Sequence, residues 1–391
     1  MRALIGARLF TGDAMLDGFS LIVDGDRIAD LVPDDQVPAG AELVRCPQGS
    51  TLAPGFIDAQ ANGAGGVLFN DEPTEAAVLA IAKALRRSGG TGLLPTLITD
   101  DRAKMAGAAE AVIAASRIPG SGILGIHFEG PFISPNRPGV HNPQYIRPLD
   151  EEDIAFLTGL PERMPQGRVL LTIAPEEVED SVIARLAEAG IILSAGHTIA
   201  SFERAREAVG HGLRGFTHLF NAMPPINSRQ PAVTTAALTG RETWCGIIVD
   251  GVHVHPAVLK MALAAKGSDR FMLVTDAMPP VGTNADGFEL YGQRILRRDG
   301  RLVTEDGTLA GADIDMASAV RNCVHMLGLP LEESLRMASL YPAEFLRLDD
   351  RLGRLAPGYR ADLVLLDAGL EVLGTWVGGV GGDRVHFSKS V

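Results

Sequence analysis

The chain has 391 residues, of which 46% are hydrophobic and 21% are charged, and its formal net charge at pH 7 is −13. This length allows one large domain, or one large and one small domain. The negative charge argues against nucleic acid or an anionic membrane surface as a general partner, so an anionic substrate would need a local basic group.

The spacing of the cysteines and the composition of residues 1–8 indicate the cellular compartment. Cys46, Cys245 and Cys323 are scattered, odd in number and without CxxC spacing, which favours free thiols in a reducing compartment over a disulfide framework or a zinc ribbon. The segment from Met1 to Arg8 lacks the apolar core of a signal peptide, and no apolar run reaches the length of a membrane span. We therefore expect a cytoplasmic protein.

Both ends of the chain carry short β-strand patterns. Residues 21–23 and 27–29 flank the turn Asp24-Gly25-Asp26, which is typical of a hairpin, and residues 361–366 form another strand pattern followed by several glycines. A sheet this small cannot bury both of its faces alone. We therefore predict that residues 1–52 and 351–391 together form one small β domain.

Between these ends, from residue 53 to residue 350, strand patterns alternate with helical ones. Amphipathic patterns predict helices over residues 74–89, 101–116, 177–189, 201–210 and 256–265. Roughly seven or eight such βα units predict a (β/α)8 barrel. An open doubly wound sheet is the alternative, but no GxGxxG motif follows any of the strand patterns.

Four of the predicted barrel strands end in a polar side chain: Glu129, His197, His218 and Asp276. Because the reacting groups of such barrels lie at the carboxyl ends of the strands, we expect the four to converge. Two imidazoles and a carboxylate are a common ligand set for catalytic zinc, which lowers the pKa of bound water. The pattern therefore predicts a metal site. Asp276 beside it would be a general base and acid, a fourth ligand, or an orienter of a ligand histidine.

The remaining histidines differ in their local context. His253 and His255 form the only His-x-His in the chain, and on an extended segment this pair could itself chelate a metal. Since Pro256 is a typical helix start, we expect His255 at the surface and His253 facing a pocket. We expect His127 to support a neighbouring residue rather than to bind the metal. Three further histidines are expected at the surface or in the core: His211, His325 and His386.

Two loops add candidates for substrate contacts. His141 lies in a loop bounded by Pro138 and Pro143, and the sequence leaves open whether this histidine contacts a sugar, a metal or only solvent. Arg229 lies in a proline-stiffened loop after His218, where its guanidinium could grip a phosphate or a carboxylate.

A series of motifs occurs in the order found in one known family: Pro54-Gly-Phe-Ile-Asp58, His127-Phe-Glu-Gly-Pro131, Gly139-Val-His-Asn-Pro143, Gly196-His-Thr198, Thr217-His-Leu-Phe-Asn-Ala-Met223, Asp250-Gly-Val-His253, Thr275-Asp-Ala277 and Leu309-Ala-Gly311. Over essentially the whole chain they resemble the N-acetylglucosamine-6-phosphate deacetylases of the amidohydrolase superfamily. The resemblance implies a (β/α)8 barrel with a small β-sandwich domain. It also implies metal-dependent hydrolysis of the acetamide of N-acetylglucosamine 6-phosphate, in amino-sugar catabolism and cell-wall recycling.

The resemblance also implies roles for individual residues. Glu129, His197 and His218 match the family's metal ligands, Asp276 matches the catalytic acid/base, and His253 matches the group that contacts the substrate carbonyl. Arg229 is similar to an arginine that meets the phosphate across a dimer interface, so a homodimer is expected. The positions that match substrate contacts are Val140, His141, Asn221, Ala222, Arg229, Asp250, Gly251, Val252, His253, Leu309, Ala310, Gly311 and Ala312.

One position departs from the wider superfamily. Many amidohydrolases carry His-x-His at the end of the first barrel strand and hold two metals, whereas this chain has Gln60-Ala61-Asn62. Neutral amides are weak zinc ligands, so we predict one divalent ion, Zn²⁺ by preference, with a weak second ion near Gln60 and Asn62 left open. The rival interpretations are a different substrate, namely another N-acylated sugar phosphate, an N-acyl amino acid or a cyclic amide, and a non-catalytic barrel.

Overall fold

The computed structural model describes residues 1–382. The last part of the predicted segment 351–391, residues 383–391 with His386, lies outside the described residues. No helix within residues 1–382 combines the length and the apolar character needed to cross a membrane.

Eight parallel strands form a barrel in which each strand pairs with the next one along the chain. The ring closes between the first and eighth strands, where the Asn62 amide donates to the Ala277 carbonyl (2.9 Å) and the Asp276 amide donates to the Gln60 carbonyl (2.9 Å). The (β/α)8 prediction is confirmed. The barrel strands, numbered first to eighth in the text, are Phe56–Ala61, Gly90–Ile98, Gly125–Glu129, Arg168–Ile173, Ile192–Ala195, Leu213–Phe216, Trp244–Ile247 and Phe271–Leu273.

A helix follows each barrel strand and packs its apolar side on the barrel wall. Several begin at the residue types that accept backbone N–H groups, as at Thr74, Asp101 and Ser201. The predicted helices are present within a few residues of their predicted ends, whereas those at 151–163, 233–239 and beyond 316 were not predicted. The helices are Glu75–Arg86, Arg102–Ser116, Glu151–Arg163, Asp180–Glu188, Phe202–Gly210, Val233–Thr239, Pro256–Lys266, Met316–Asn322, Leu331–Ala338 and Leu340–Phe345.

Two of the sheets outside the barrel pack on each other, and one of these two joins both ends of the chain. The strand Leu363–Leu366 pairs antiparallel with Thr51–Pro54, and the two sheets share a core that includes Leu21, Leu52 and Trp376. The predicted hairpin around Gly25 is present. The division into domains at residues 52/53 and 350/351 stays a prediction. The strands of the four-stranded sheet are, in spatial order, Arg27–Pro33, Phe19–Asp24, Arg2–Ile5 and Glu42–Arg45. Those of the six-stranded sheet are, in spatial order, Val380–Gly381, Val372–Val377, Leu363–Leu366, Thr51–Pro54, Arg8–Phe10 and Met15–Leu16.

A three-stranded antiparallel sheet interrupts the last βα unit and was not predicted. Its strands are Gly287–Leu290, Gln293–Arg298 and Arg301–Val303. A bidentate ion pair joins Arg297 to Asp313 at 2.6 and 2.9 Å, and the Tyr291 hydroxyl donates to the Thr99 carbonyl at 2.6 Å. Because Thr99 directly follows the second barrel strand, these contacts fix the small sheet beside the carboxyl ends of the barrel strands.

Candidate active site

Three of the four predicted strand-end residues adopt a left-handed backbone. The φ angle is 48° at His197, 30° at His218 and 50° at Asp276. Each residue comes two or three positions after its strand ends, where the backbone turns away from the sheet. Non-glycine residues rarely adopt this conformation, and such strain collects at functional sites. Its occurrence at three strand ends of one barrel therefore marks this face as the candidate active site.

The structure brings Glu129, His197 and His218 together. The Nε2 atoms of His197 and His218 are 3.2 Å apart, and they lie 3.2 and 2.8 Å from Glu129 Oε1. All three side chains are buried. Lone pairs of two imidazoles and a carboxylate repel one another at this separation unless a proton or a cation lies among them. The donor set is also one that zinc prefers, so the residues present fit a divalent cation.

The protein fixes the orientation of the His197 ring. Nδ1 of His197 lies 2.9 Å from the carbonyl oxygen of Arg137, which can only accept a hydrogen bond. The Nδ1–H must therefore donate, which leaves the Nε2 lone pair for a ligand when the ring is neutral. Gly139 packs against the same ring, because a Cβ there would lie 3.2 Å from His197 Cε1. Its φ of +57° also favours glycine.

Charge in the cluster is concentrated on Glu129. Burial alone would raise the pKa of Glu129, but the hydrogen bonds with His197 and His218 outweigh it and hold the pKa well below its usual value. Burial would likewise lower the pKa of His218, whereas the hydrogen bond with Glu129 prevails and raises it. The cluster therefore contains a carboxylate in its ionised, ligand-competent form.

Asp276 lies against the same cluster and is held by two amide side chains. Asn62 Nδ2 donates to Asp276 Oδ1 at 2.6 Å, and Gln60 Nε2 lies 3.3 Å from the same oxygen. Gln60 Nε2 also donates to Glu129 Oε1 at 3.1 Å. Burial, and secondarily the negative charge of Glu129, raises the pKa of Asp276 to about 6. A carboxyl group that titrates there can both accept and return a proton near neutral pH.

His253 forms a dyad with Asp250 rather than a chelate with His255. Its Nδ1 lies 2.6 Å from Asp250 Oδ2, and the other oxygen of Asp250 accepts the backbone amides of Val252 and His253 at 2.8 and 2.9 Å. These bonds outweigh burial and lower the pKa of Asp250. Nε2 of His253 is left to face the cleft. His255 caps the helix Pro256–Lys266 at the surface, as predicted.

His141 belongs to a second possible ligand group. The ligand atoms of Glu129, His141 and His197 lie within 4.8 Å of one another, so this set could also hold a metal ion. Nδ1 of His141 lies 2.7 Å from Thr99 Oγ1, and its ring packs on that of His197 with 4.3 Å between centroids. His127, by contrast, has both ring nitrogens on threonines, at 2.8 Å from Thr172 Oγ1 and 3.3 Å from Thr96 Oγ1. Burial lowers the pKa of His127 to about 4, so it is neutral.

A cleft of about 540 Å³ opens above these groups and contains most of the predicted site residues. It is lined by Glu129, Val140, His141, His197, His218, Asn221, Ala222, His253, Asp276, Leu309 and Gly311. Three other predicted positions directly precede His253 and do not line the cleft: Asp250, Gly251 and Val252. Ala310 and Ala312 are buried in the loop that follows the small sheet. Arg229 is exposed and does not line the cleft of its own chain.

Some lining residues were not predicted from the sequence. They are Asn62, Ile98, Asn136, Arg137, Pro138, Gly139, Met278, Gly307 and Thr308. The sequence marks Asn62 only as a position for a weak second metal ion. Arg137 is a basic residue in the same loop as His141. The sequence of a loop does not show whether such a side chain points into the cleft or into solvent.

The comparisons with known proteins agree with this geometry. The Amidohydrolase family model matches residues 51–381, and the NagA composite domain model matches residues 1–45. The N-acetylgalactosamine-6-phosphate deacetylase of Shewanella sp. (strain ANA-3) is 42% identical over 84% of this chain and 82% of that protein. The N-acetylglucosamine-6-phosphate deacetylase of Haemophilus influenzae is 34% identical over 96% of this chain and 98% of that protein.

A solved structure extends the agreement to the fold. The crystal structure of N-acetylglucosamine-6-phosphate deacetylase from Pasteurella multocida superposes with a TM-score of 0.93 at 36% identity, covering 97% of this chain and 99% of that chain. These matches confirm the resemblance that the sequence motifs indicated. The chain belongs to the amidohydrolase family.

Proposed function

We propose that the protein hydrolyses the acetamide of N-acetylglucosamine 6-phosphate to glucosamine 6-phosphate and acetate. The observation that carries this proposal is the convergence of Glu129 Oε1 with the Nε2 atoms of His197 and His218 beside the buried carboxyl group of Asp276. Relatives named for this activity, at 34% identity over nearly the whole chain, support the substrate.

We propose Glu129, His197 and His218 as the ligands of one divalent metal ion, Zn²⁺ by preference. When bound, such an ion supplies Lewis-acid chemistry and makes water nucleophilic near neutral pH. A single ion is favoured because Gln60 and Asn62 use their amide N–H groups to hold Glu129 and Asp276. The remaining amide oxygens are weak ligands for zinc beside imidazole, so they offer little to a second ion.

Asp276 is the proposed general base and general acid. It would take a proton from the attacking water and return it to the departing amine of the sugar. Its pKa of about 6 suits both transfers, and the amides of Asn62 and Gln60 hold the carboxylate in place while it acts. The proton therefore stays on one buried group between the two steps.

His253 is the proposed donor to the acetamide carbonyl. Nδ1–H of this ring is engaged by Asp250, so donation from Nε2 requires the doubly protonated ring. The carboxylate of Asp250, whose pKa is lowered by its hydrogen bonds, lies at hydrogen-bond distance from Nδ1 and orients the ring. A charged donor aimed at the place where negative charge develops is the kind of contact that stabilises an oxyanion.

The assembly and location are part of the same proposal. We propose a homodimer, because Arg229 is exposed outside its own cleft and could reach the phosphate in a neighbouring subunit. We propose a cytoplasmic location, because Cys46, Cys245 and Cys323 are free and buried, as in proteins of reducing compartments.

The proposal is tested by acetate release from phosphorylated and unphosphorylated substrates. We expect kcat/KM for N-acetylglucosamine 6-phosphate to exceed that for N-acetylglucosamine by about 10²–10⁴-fold, since the two parallel charge-assisted hydrogen bonds that an arginine can donate to a phosphate, of about 1.5–3 kcal/mol each, would be lost. No turnover of any N-acetylhexosamine phosphate by metal-replete protein would contradict the proposal.

A second candidate substrate is N-acetylgalactosamine 6-phosphate. The observation in its favour is the 42% identity with the Shewanella deacetylase named for that sugar. The two sugars differ only at one hydroxyl group, so the same assay with both epimers decides between them. We expect the higher kcat/KM with the glucosamine epimer.

A further inference from the structure

Arg137 holds a fixed position at the edge of the metal site. Its amide donates to the Ser134 carbonyl at 3.0 Å, and the Ser134 amide donates to the His197 carbonyl at 2.9 Å. Its own carbonyl accepts Nδ1–H of His197 at 2.9 Å. Two hydrogen bonds thus join this loop to His197, a proposed metal ligand. They fix the backbone of Arg137, and therefore the point from which its side chain extends, relative to the metal site.

Arg137 lines the cleft, and within the described residues no protein group pairs with its guanidinium. Among residues 1–382 it makes no hydrogen bond or ion pair, although it is half-buried. Other half-buried arginines of the chain are paired, as Arg297 is with Asp313 and Arg204 with Asp180. Within the described part of the chain, Arg137 is also the only lysine or arginine that lines the cleft.

A phosphate group that enters the cleft needs a cationic side chain there, because the cleft is acidic. Glu129 and Asp276 place two carboxyl groups at its floor, and the whole chain carries a net charge of −13. A phosphate monoester entering this space meets a negative field unless a cation faces it. Arginine matches phosphate oxygens with parallel N–H donors, and a guanidinium with no competing carboxylate has those donors available.

We infer that Arg137 binds the phosphate of the substrate from within the subunit whose metal site performs the hydrolysis. This inference rests on the proposed function, and it adds to Arg229, which is proposed to reach the phosphate from the neighbouring subunit. The phosphate is then held by one cation from each chain. Arg137 is a binding residue, and its backbone carbonyl keeps its separate contact with His197 in any side-chain variant.

The test compares Arg137→Gln with Arg137→Lys and with Arg45→Gln. Arg45 is exposed on the small strand Glu42–Arg45, so its variant removes the same charge away from the cleft. For Arg137→Gln we expect KM for the phosphorylated sugar to rise about 10- to 100-fold with kcat within about twofold, as one charge-assisted contact is lost. Arg137→Lys should recover part of the loss, and Arg45→Gln should match the unaltered protein.

Two readouts separate phosphate binding from a structural role. The kinetics with unphosphorylated N-acetylglucosamine and the metal content should be unchanged in Arg137→Gln. An equal loss with both substrates, or an unchanged KM for the phosphorylated one, would overturn the inference while leaving the deacetylase proposal intact. If the unaltered protein turned over no phosphorylated sugar, the proposed function would fail instead. Calorimetric binding of inorganic phosphate, present in the unaltered protein and lost in Arg137→Gln, would then still test Arg137.

Mixed dimers test which subunit supplies each cation. When Arg137→Gln and Arg229→Gln chains are combined, one of the two clefts lacks both arginines and the other has both. The purified mixed dimer should therefore have, at low substrate, about half the activity of the unaltered dimer, above either variant alone. No gain on mixing would contradict the placement of the two arginines in opposite subunits.

Discussion

Replacing Asp276 with asparagine should lower kcat by about 10²–10⁴-fold, the range expected when a general acid–base group is removed. The asparagine has nearly the same shape and keeps an oxygen that can accept the hydrogen bond from Asn62. It cannot take up a proton from water. The measurement is kcat for acetate release, together with metal content, which should not change because Asp276 lies outside the proposed ligand set.

The chain offers a closely matched control for this variant. Asp299 also has a φ of 50°, and it is exposed on a turn of the three-stranded sheet. Asp299→Asn therefore repeats the chemical change on the same type of backbone, and it should leave kcat unchanged. Turnover of Asp276→Asn close to that of the control would remove Asp276 from the proton-transfer role.

Replacing His218 with alanine should release the metal. Loss of even an outer hydrogen-bonding partner commonly weakens metal affinity by about 10–100-fold, so loss of a ligand should exceed about 100-fold. Activity should fall with metal content, and added metal should restore little of it. The measurement is metal affinity by competition with a chelator, alongside kcat.

His141→Ala is the control that separates the two possible ligand groups. If Glu129, His197 and His218 hold the ion, this variant should keep its metal affinity within about tenfold and show a higher KM, in line with a sugar contact. The opposite pattern, with metal lost from His141→Ala and kept by His218→Ala, would assign the site to Glu129, His141 and His197, whose ligand atoms also lie within 4.8 Å.

The parts of the molecule that the sequence predicted are those set by local pattern and barrel topology. Apolar runs that end in Glu129, His197, His218 and Asp276 predicted strands, and the closure of eight such strands brings their ends to one face. These four polar side chains therefore lie on the same face of the barrel, although they are far apart in the sequence. The helices with clear amphipathic faces were predicted for the same reason, since periodicity is a local property.

The rest depends on contacts between distant segments, which a single sequence does not encode locally. The strands of the sheet at residues 287–303 are short and bury only one or two side chains each, so their pattern is too brief to be recognised in the sequence. Its Tyr291 contacts Thr99, which is 192 residues away along the chain. Thr99 in turn contacts His141. The pairing of Asp250 with His253 is local, but the sequence does not show which way either side chain points, so this hydrogen bond was not predicted either.

The most direct test of the central claim is a zinc titration of chelator-stripped protein, followed by acetate release from N-acetylglucosamine 6-phosphate. We expect negligible activity without metal and a linear rise that ends at one equivalent of zinc per chain, since Glu129, His197 and His218 offer one set of converging ligand atoms. Full activity in the stripped protein, or a rise that continues to two equivalents, would rule out catalysis by one metal ion held by these three residues.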